Sequence, residues 1–261
     1  MKLRTFPLNN EKRLYSDLAW TWPIISPLEH YIEETEFFSN VIREHSKIPV
    51  KTLLHLGCGG GHNDYTLKKY FQVTGVDVSP EILKLAKKLN PEVNYICEDM
   101  RTVQLGHSFD AVVAIDSIAY ILTVEDLRKV FTIAFSHLKP GGIFMFIAED
   151  TKEDFKQNNT TSYTNSQGEI EITFIDNRYD PDETDTTYES TFIYLVRRKG
   201  NLEIHTDRHL CGLFKLDILA DLLKEIGFEV KQLKYEPPKS AVEPSGLAGY
   251  KNYPMFVCIK P

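Results

Sequence analysis

Between Val50 and Asp77 an apolar run, Val50-Lys51-Thr52-Leu53-Leu54-His55-Leu56, breaks into Gly57-Cys58-Gly59-Gly60-Gly61, and a second run, Val73-Thr74-Gly75-Val76, ends on Asp77. A strand that runs into a glycine cluster, followed about twenty residues later by an acid at the tip of the next strand, is how parallel α/β folds hold a nucleoside. The glycines let the chain turn sharply and let a ligand approach main-chain N–H groups that a Cβ would shield. Asp77 can take both ribose hydroxyls in a bidentate hydrogen bond. Spacing alone admits a dinucleotide or another nucleoside. The dinucleotide fingerprint asks for a small residue at the sixth position, and counting from Gly57 that position is His62. The G-x-G-x-G register therefore points away from a dinucleotide. The plain structural alternative is a βα turn that holds no ligand.

The rest of the chain supports a parallel sheet. Strand candidates are Thr52 to Leu56, Gln72 to Asp77, Val93 to Cys97, Phe109 to Ile115 and Ile143 to Ala148. Helix candidates between them are Asp64 to Tyr70, Pro80 to Asn90 and Glu125 to Leu138. Ser79-Pro80 reads as an N-cap followed by proline at the first helical position, and Lys139-Pro140-Gly141-Gly142 as a helix stop feeding a strand. Near-continuous apolar strands alternating with amphipathic helices specify a sheet covered on both faces. Ahead of it, Asn9 to Ser46 reads as helix in two pieces, broken at Trp22-Pro23 and Ser26-Pro27, and carries both tryptophans as a cover.

After Asp150 the pattern changes. Thr151 to Gln167 is polar and reads as loop, whereas Glu169 to Ile175, Tyr188 to Arg197 and Leu202 to Leu210 alternate polar and apolar residues like antiparallel strands with one solvated face. Arg198-Lys199-Gly200-Asn201 is the expected turn between the last two. The helix-and-strand series resumes with Lys215 to Ile226, Phe228 to Leu233 and Met255 to Ile259, and the long segment Glu236 to Pro254 is a candidate lid. Three parts follow: a helical cover over 1–49, a nucleoside-binding α/β domain over 50–150 and 211–261, and an antiparallel β subdomain inserted at 151–210.

Composition narrows the partners. With 261 residues and 42% hydrophobic content the chain can bury a large core, and a net charge of -7 with scattered basic residues leaves no electrostatic footprint for nucleic acid or a membrane surface. A small molecule is the expected partner. There is no apolar leader after Met1, no run long enough to span a bilayer, and no metal-ligand spacing among Cys58, Cys97, Cys211, Cys258 and the histidines. A cytoplasmic enzyme with reduced thiols is expected, and the edge of the inserted sheet allows a homodimer.

These stretches, taken in order, are similar to the class I S-adenosylmethionine-dependent methyltransferases. The resemblance runs from Val50 to the C-terminus through His55-Leu56-Gly57-Cys58-Gly59-Gly60-Gly61, Val76-Asp77-Val78-Ser79, Cys97-Glu98-Asp99-Met100, Phe109-Asp110-Ala111-Val112-Val113 and Leu138-Lys139-Pro140-Gly141-Gly142. It implies a Rossmann-like doubly wound sheet, mostly parallel, with an antiparallel last strand at Met255 to Ile259. It implies S-adenosyl-L-methionine as cofactor, with Gly57, Cys58, Gly59 and Gly61 on its methionine part, Asp77 at the ribose, Asp99 with Met100 beside it at adenine, and Val78 also among the residues that bind it. Ala114 and Ile115 would lie along it. The family commonly has an acid where this chain has His55, which leaves open what holds the methionine ammonium; Asp116 or a carbonyl of the turn could serve.

Within the class, the arrangement resembles amino-sugar N,N-dimethyltransferases, on Tyr15-Ser16-Asp17-Leu18, Asp116-Ser117-Ile118-Ala119-Tyr120-Ile121 and Asp207-Arg208-His209-Leu210-Cys211-Gly212-Leu213-Phe214. The implied reaction is methyl transfer to a small-molecule amine. An oxygen acceptor, a nicotinamide-dependent oxidoreductase and a non-catalytic cofactor-binding protein are the alternatives. Displacement at a sulfonium needs mainly alignment in a dry pocket, so no residue type must mark the chemistry. Tyr120, just past the fourth strand, could orient the acceptor or form an aromatic wall. His209 could be a base or a core histidine. Tyr15 could close the cofactor pocket or pack in the core, Cys58 is a small packed side chain, and His62 caps the next helix or sees solvent.

Overall fold

Each predicted strand of the α/β part forms where its apolar run places it. The computed structural model describes residues 12–235 and 253–261. Helices α1 (Trp22–Ile25) and α2 (Glu29–His45) precede β1 (Thr52–Leu56), α3 (His62–Leu67), β2 (Gln72–Asp77), α4 (Pro80–Leu89), β3 (Asn94–Cys97) and β4 (Phe109–Ala114). Then follow α5 (Val124–Ser136), β5 (Leu138–Ile147), four strands β6 (Asn159–Gln167), β7 (Ile170–Tyr179), β8 (Thr187–Arg198) and β9 (Asn201–Gly212), α6 (Leu216–Ile226), β10 (Glu229–Tyr235) and β11 (Tyr253–Ile259).

Seven strands form one sheet in the order β10-β11-β5-β4-β1-β2-β3. β1 pairs in parallel with both β2 and β4, so the chain reverses its direction of travel across the sheet there. That switch point is where an open α/β sheet leaves a crevice at the carboxyl ends of its strands. β11 runs antiparallel to β5 and β10, as the resemblance implied. The period-two alternation sorts the core: Leu54, Leu56, Val112, Phe144 and Phe146 pack on the α5 and α6 side, while Leu53, Ala111, Val113 and Met145 pack against α2, α3 and α4.

Local chemistry sets the boundaries. The Ser79 hydroxyl accepts from the Ile82 N–H at 3.1 Å, and Pro80 opens α4. Thr123 caps α5 in the same way. Helix α6 stops at Gly227, whose φ of 112° only glycine adopts readily. Lys139-Pro140-Gly141-Gly142 is not a separate helix stop: α5 ends at Ser136 and the four residues lie inside β5, where the pairing with β4 slips between Phe109 and Ala111.

Two expectations change. Thr151 to Gln167 is not all loop, since Asn159–Gln167 is the edge strand β6 of the four-stranded sheet β6-β7-β8-β9. Its residues are polar on both faces and mostly exposed, so no apolar alternation marks it; its pairing with β7 makes it a strand. The front segment is also less helical than expected. It opens with 3-10 turns at Arg13–Tyr15 and Ala19–Thr21, and Trp22-Pro23 starts α1 instead of breaking a helix, because proline is tolerated in the first turn. The expected turn between β8 and β9 is present, with Lys199 and Gly200 both at positive φ as a two-residue hairpin needs.

The front segment does cover something. Leu14, Leu18, Ile24 and Ile25 bury themselves against Ile172, Phe174, Tyr194 and Val196 of the four-stranded sheet. The lid expected at Glu236 to Pro254 falls, over 236–252, outside the described residues. Among the described residues no helix is long and apolar enough to cross a membrane.

Candidate active site

At the carboxyl end of β1 the chain turns through Gly57, Gly59 and Gly61, all at positive φ. A Cβ on Gly57 would stand 2.4 Å from the Ser117 Cβ, and one on Gly61 would stand 2.6 Å from the Tyr95 hydroxyl. Nothing lies within 4 Å of where a Gly59 Cβ would be, so that glycine borders open space. The space is a cavity of about 540 Å³, lined by the turn, the ends of β2, β3 and β4, and the front segment. That volume suits a nucleoside-sized ligand with room for a second small molecule.

Asp77 closes the tip of β2. Its Oδ2 accepts from the Gly59 N–H and its Oδ1 from the Ser79 N–H, both at 2.9 Å, which fixes the carboxylate and leaves lone pairs toward the cavity. Burial raises its pKa, opposed by those two donors. Beyond β3, Asp99 is held by a bidentate contact from Arg101, which also reaches Asp126 at 2.8 Å. The Arg101 hydrogen bonds lower the Asp99 pKa, so that end of the cavity, also lined by Val78 and Met100, keeps a fixed anion.

His55 lies under the turn, 1% exposed, with its Nδ1 2.7 Å from Oδ1 of the fully buried Asp64 on α3. Its Nε2 and the second Asp64 oxygen have no protein partner. His62 is not solvent-facing: it is 6% exposed, makes no helix cap, and accepts from the Trp22 indole at 3.0 Å beside the Tyr31 ring. Burial lowers its pKa to about 4, so it stays neutral. Cys58 is packed as expected, and burial raises its thiol pKa.

The opposite wall is a chain of polar aromatics. The Tyr15 hydroxyl donates to the Tyr120 hydroxyl at 2.8 Å. Tyr120 then stands 3.0 Å from His209 Nδ1, and His209 Nε2 stands 2.7 Å from Asp207 Oδ2. A carboxylate only accepts, so His209 Nε2 donates to Asp207 while Nδ1 faces the Tyr120 hydroxyl. Asp207 also accepts from the Leu14 N–H at 2.7 Å, which ties the front segment to the same anchor. Lys12 lies over the Tyr120 ring at 4.3 Å.

Between the two walls stands Asp116, a non-glycine residue at φ 57° directly after β4. It is open to the cavity but walled by protein, and burial raises its carboxyl to about 6. Glu149, beside it, is raised well above the usual range by burial and by Asp116.

Tyr15, Gly57, Cys58, Gly59 and Asp77 line the cavity, as do Val78, Asp99, Met100, Ile115 and Tyr120. Gly61 and Ala114 are not among its lining residues. His209 is fully buried behind Tyr120 and reaches the cavity only through it. The sequence reading missed Asp64, Glu149 and the Trp22–His62 contact. An acid nine residues after the anomalous His55 was the available signal for the first.

Residues 53–142 match the family described as a methyltransferase domain. With the Rossmann-like strand order and the cavity at the switch point, this supports an S-adenosylmethionine-dependent methyltransferase. Among curated relatives, the chain is 26% identical to a dTDP-4-amino-2,3,4,6-tetradeoxy-D-glucose N,N-dimethyltransferase of Saccharopolyspora spinosa, over 72% of this chain and 75% of the relative. Among solved structures it superposes on Streptomyces venezuelae DesVI with a TM-score of 0.78 and 22% identity, over 94% of this chain and 96% of that one. It also superposes on S-adenosylmethionine-bound CalS10, an amino pentose methyltransferase from Micromonospora echinaspora, with a TM-score of 0.74 and 20% identity over 88% and 92% of the two chains.

Proposed function

We propose that this methyltransferase acts on the amine nitrogen of a small polar acceptor of the amino-sugar type. The observation that carries this reading is Asp116, a carboxyl poised near 6 and turned into the cavity between the glycine turn and Tyr120. When bound, S-adenosylmethionine supplies an electrophilic methyl group on sulfur. Asp77 would accept the ribose hydroxyls, and Asp99, with Val78 and Met100 on the same part of the wall, would accept from the adenine amino group. Gly57, Cys58, Gly59, Gly61, Ala114 and Ile115 shape the wall along the methionine part. Tyr15, held by the Ser79 hydroxyl through its carbonyl, closes the cavity from the front segment.

An amine needs alignment more than a strong base. A neutral amine attacks with its own lone pair, and the ammonium that results is stabilised by Asp116 and gives its spare proton to it or to solvent. Tyr120, with both ring and hydroxyl fixed, orients the acceptor, and His209 acts through it. The named activities of the S. spinosa and M. echinaspora relatives point to the same acceptor class.

One observation favours a second reading. The Tyr120–His209–Asp207 chain could carry a proton away from an acceptor hydroxyl, which would make the enzyme an O-methyltransferase. Incubation with S-adenosylmethionine and matched nucleotide sugars bearing an amino or a hydroxyl group at one carbon separates the two. Methylation only of the amino sugar, read by mass spectrometry, is expected; methylation only of the hydroxy sugar overturns the amine reading. The net charge of -7 supports a small molecule over nucleic acid, and a cytoplasmic enzyme. A division into cover, cofactor domain and inserted β subdomain, and a homodimer through the open edge of β6, complete the proposal; sedimentation equilibrium tests the last.

A further inference from the structure

We infer that Glu149 is the positioning partner of Asp116: it keeps the proton that the two carboxyls share and donates it to Asp116, so that the pair shows the acceptor nitrogen one negative charge. The inference rests on the amine reading of the site and adds a residue that acts through Asp116.

The sheet brings the two side chains together. Strands β4 and β5 run in parallel, and Ala114 stands opposite Phe146 in their last pair. Asp116 follows two residues after Ala114 and Glu149 three after Phe146, so both leave the sheet at its carboxyl end, with their carboxyls in hydrogen-bonding reach of each other. Asp116 lines the large cavity beside Tyr120. Glu149 does not; with Asp116 it lines a second pocket of about 20 Å³, room for about one water. Its route to the acceptor is therefore Asp116.

Two buried carboxylates in contact resist ionising together, because the like charges repel and burial penalises each. The neighbours strengthen this. Glu34 of α2 adds negative charge facing Asp116, and Asp150 adds it facing Glu149. Arg178 of β7 is the opposing cation near Glu149, but its guanidinium is engaged by Asp150 and Asp176. Tyr15, Tyr31, Tyr235 and Tyr253 also face the pair, and burial raises each phenol further, so all four stay neutral. Burial raises Asp116 to about 6, with the hydrogen bond from Glu149 working the other way; burial and then Asp116 raise Glu149 well above the carboxylate range. At neutral pH the proton stays on Glu149 and Asp116 is the anion. The ammonium formed by methylation is drawn to that charge. When it gives a proton to Asp116, an N–H bond breaks, an O–H bond forms, and the pair is left uncharged.

Carbon-13 spectra of carboxyl-labelled protein titrate the pair with no acceptor present. In the wild type Asp116 should ionise near pH 6 while Glu149 stays protonated through neutral pH. A Glu149 that ionises before Asp116 overturns the inference without any variant. Glu149→Gln keeps the shape and a donor, and should leave Asp116 within about half a pH unit. Glu149→Leu removes the donor at similar volume and should raise Asp116 by about one pH unit or more, a tenfold change in proton concentration. Equal behaviour of the two variants, in either direction, overturns the donor role. With an amino-sugar acceptor, the acid limb of kcat should move up with Asp116 in Glu149→Leu and stay in place in Glu149→Gln; an unmoved limb in the leucine variant overturns the role in the reaction. Methylation of a hydroxy sugar alone would end the amine reading and leave the titrations as they are.

Discussion

The glycine end of the cavity is walled by main chain from one continuous stretch, and its anion, Asp77, is 18 residues from the N–H it holds. The tyrosine end is walled by side chains from three separate segments: Tyr15 meets Tyr120 across 105 residues, and Tyr120 meets His209 across 89. The first wall is set by backbone conformation, because glycines at positive φ leave no alternative path. The second exists only if the front segment and the four-stranded sheet both dock. It should therefore be the easier end to dismantle and the freer one to vary between acceptors.

Asp207→Ala attacks the second wall alone. It leaves the Leu14 N–H and the His209 ring N–H without their acceptor, and each orphaned buried donor costs about 1–3 kcal/mol. A loss of about 3 kcal/mol in denaturant unfolding is expected. A change under about 1 kcal/mol would mean the front segment is held by its apolar contacts and not by this anchor. At the glycine end, Asp77→Ala should weaken S-adenosylhomocysteine binding about a hundredfold, some 2.7 kcal/mol, since it removes the diol acceptor and frees the Gly59 and Ser79 N–H groups. Calorimetric affinity within about threefold of wild type would show that the ribose is held elsewhere.

The same contrast explains what could be read from the chain. The glycine register, Asp77 and the Asp99-Met100 pair are local signals, and the cavity wall contains them. Ser79-Pro80 and Gly227 mark their helix ends because capping is a matter of a few neighbouring residues. What was not legible depends on long-range partners. Strand β6 carries no apolar alternation and is a strand only through β7. His62 looked like a capping or solvent residue, yet the Trp22 indole forty residues earlier buries it. Asp64, on a short helix, is buried against His55 only because β1 brings that ring to it.

Tyr120→Phe sharpens the comparison from the acceptor side. It removes the hydroxyl that receives from Tyr15 and approaches His209, while the ring remains. If Tyr120 only orients an amine, kcat should fall about tenfold and the S-adenosylhomocysteine affinity should not move. Loss of a general base costs about a hundredfold or more. A fall of that size, with kcat now rising with pH, would transfer the enzyme to the hydroxyl-acceptor reading.

The smallest expected effect is on pH and stability. Burial raises the Glu34 carboxyl from 4.5 to about 7, although the nearby Tyr235 hydroxyl favours the anion; burial likewise raises Asp116 to about 6. Both acids hold a proton in the folded protein at a pH where the unfolded chain has released it. Their contribution to stability is thus fully present below about pH 4 and is lost as pH rises through about 6 for Asp116 and about 7 for Glu34. Glu34→Gln keeps the shape and removes the titration. Glu34 is only half-buried, so solvent screening limits the effect to about 1 kcal/mol. Melting curves from pH 4 to 8 should show the wild type losing stability from about pH 4.5 to about 7 and levelling off above, while the variant stays flatter, the two differing most near pH 8. Parallel curves would mean that Glu34 titrates at its ordinary pKa, and that the raised carboxyl pKa values of the acceptor end are confined to Asp116 and Glu149.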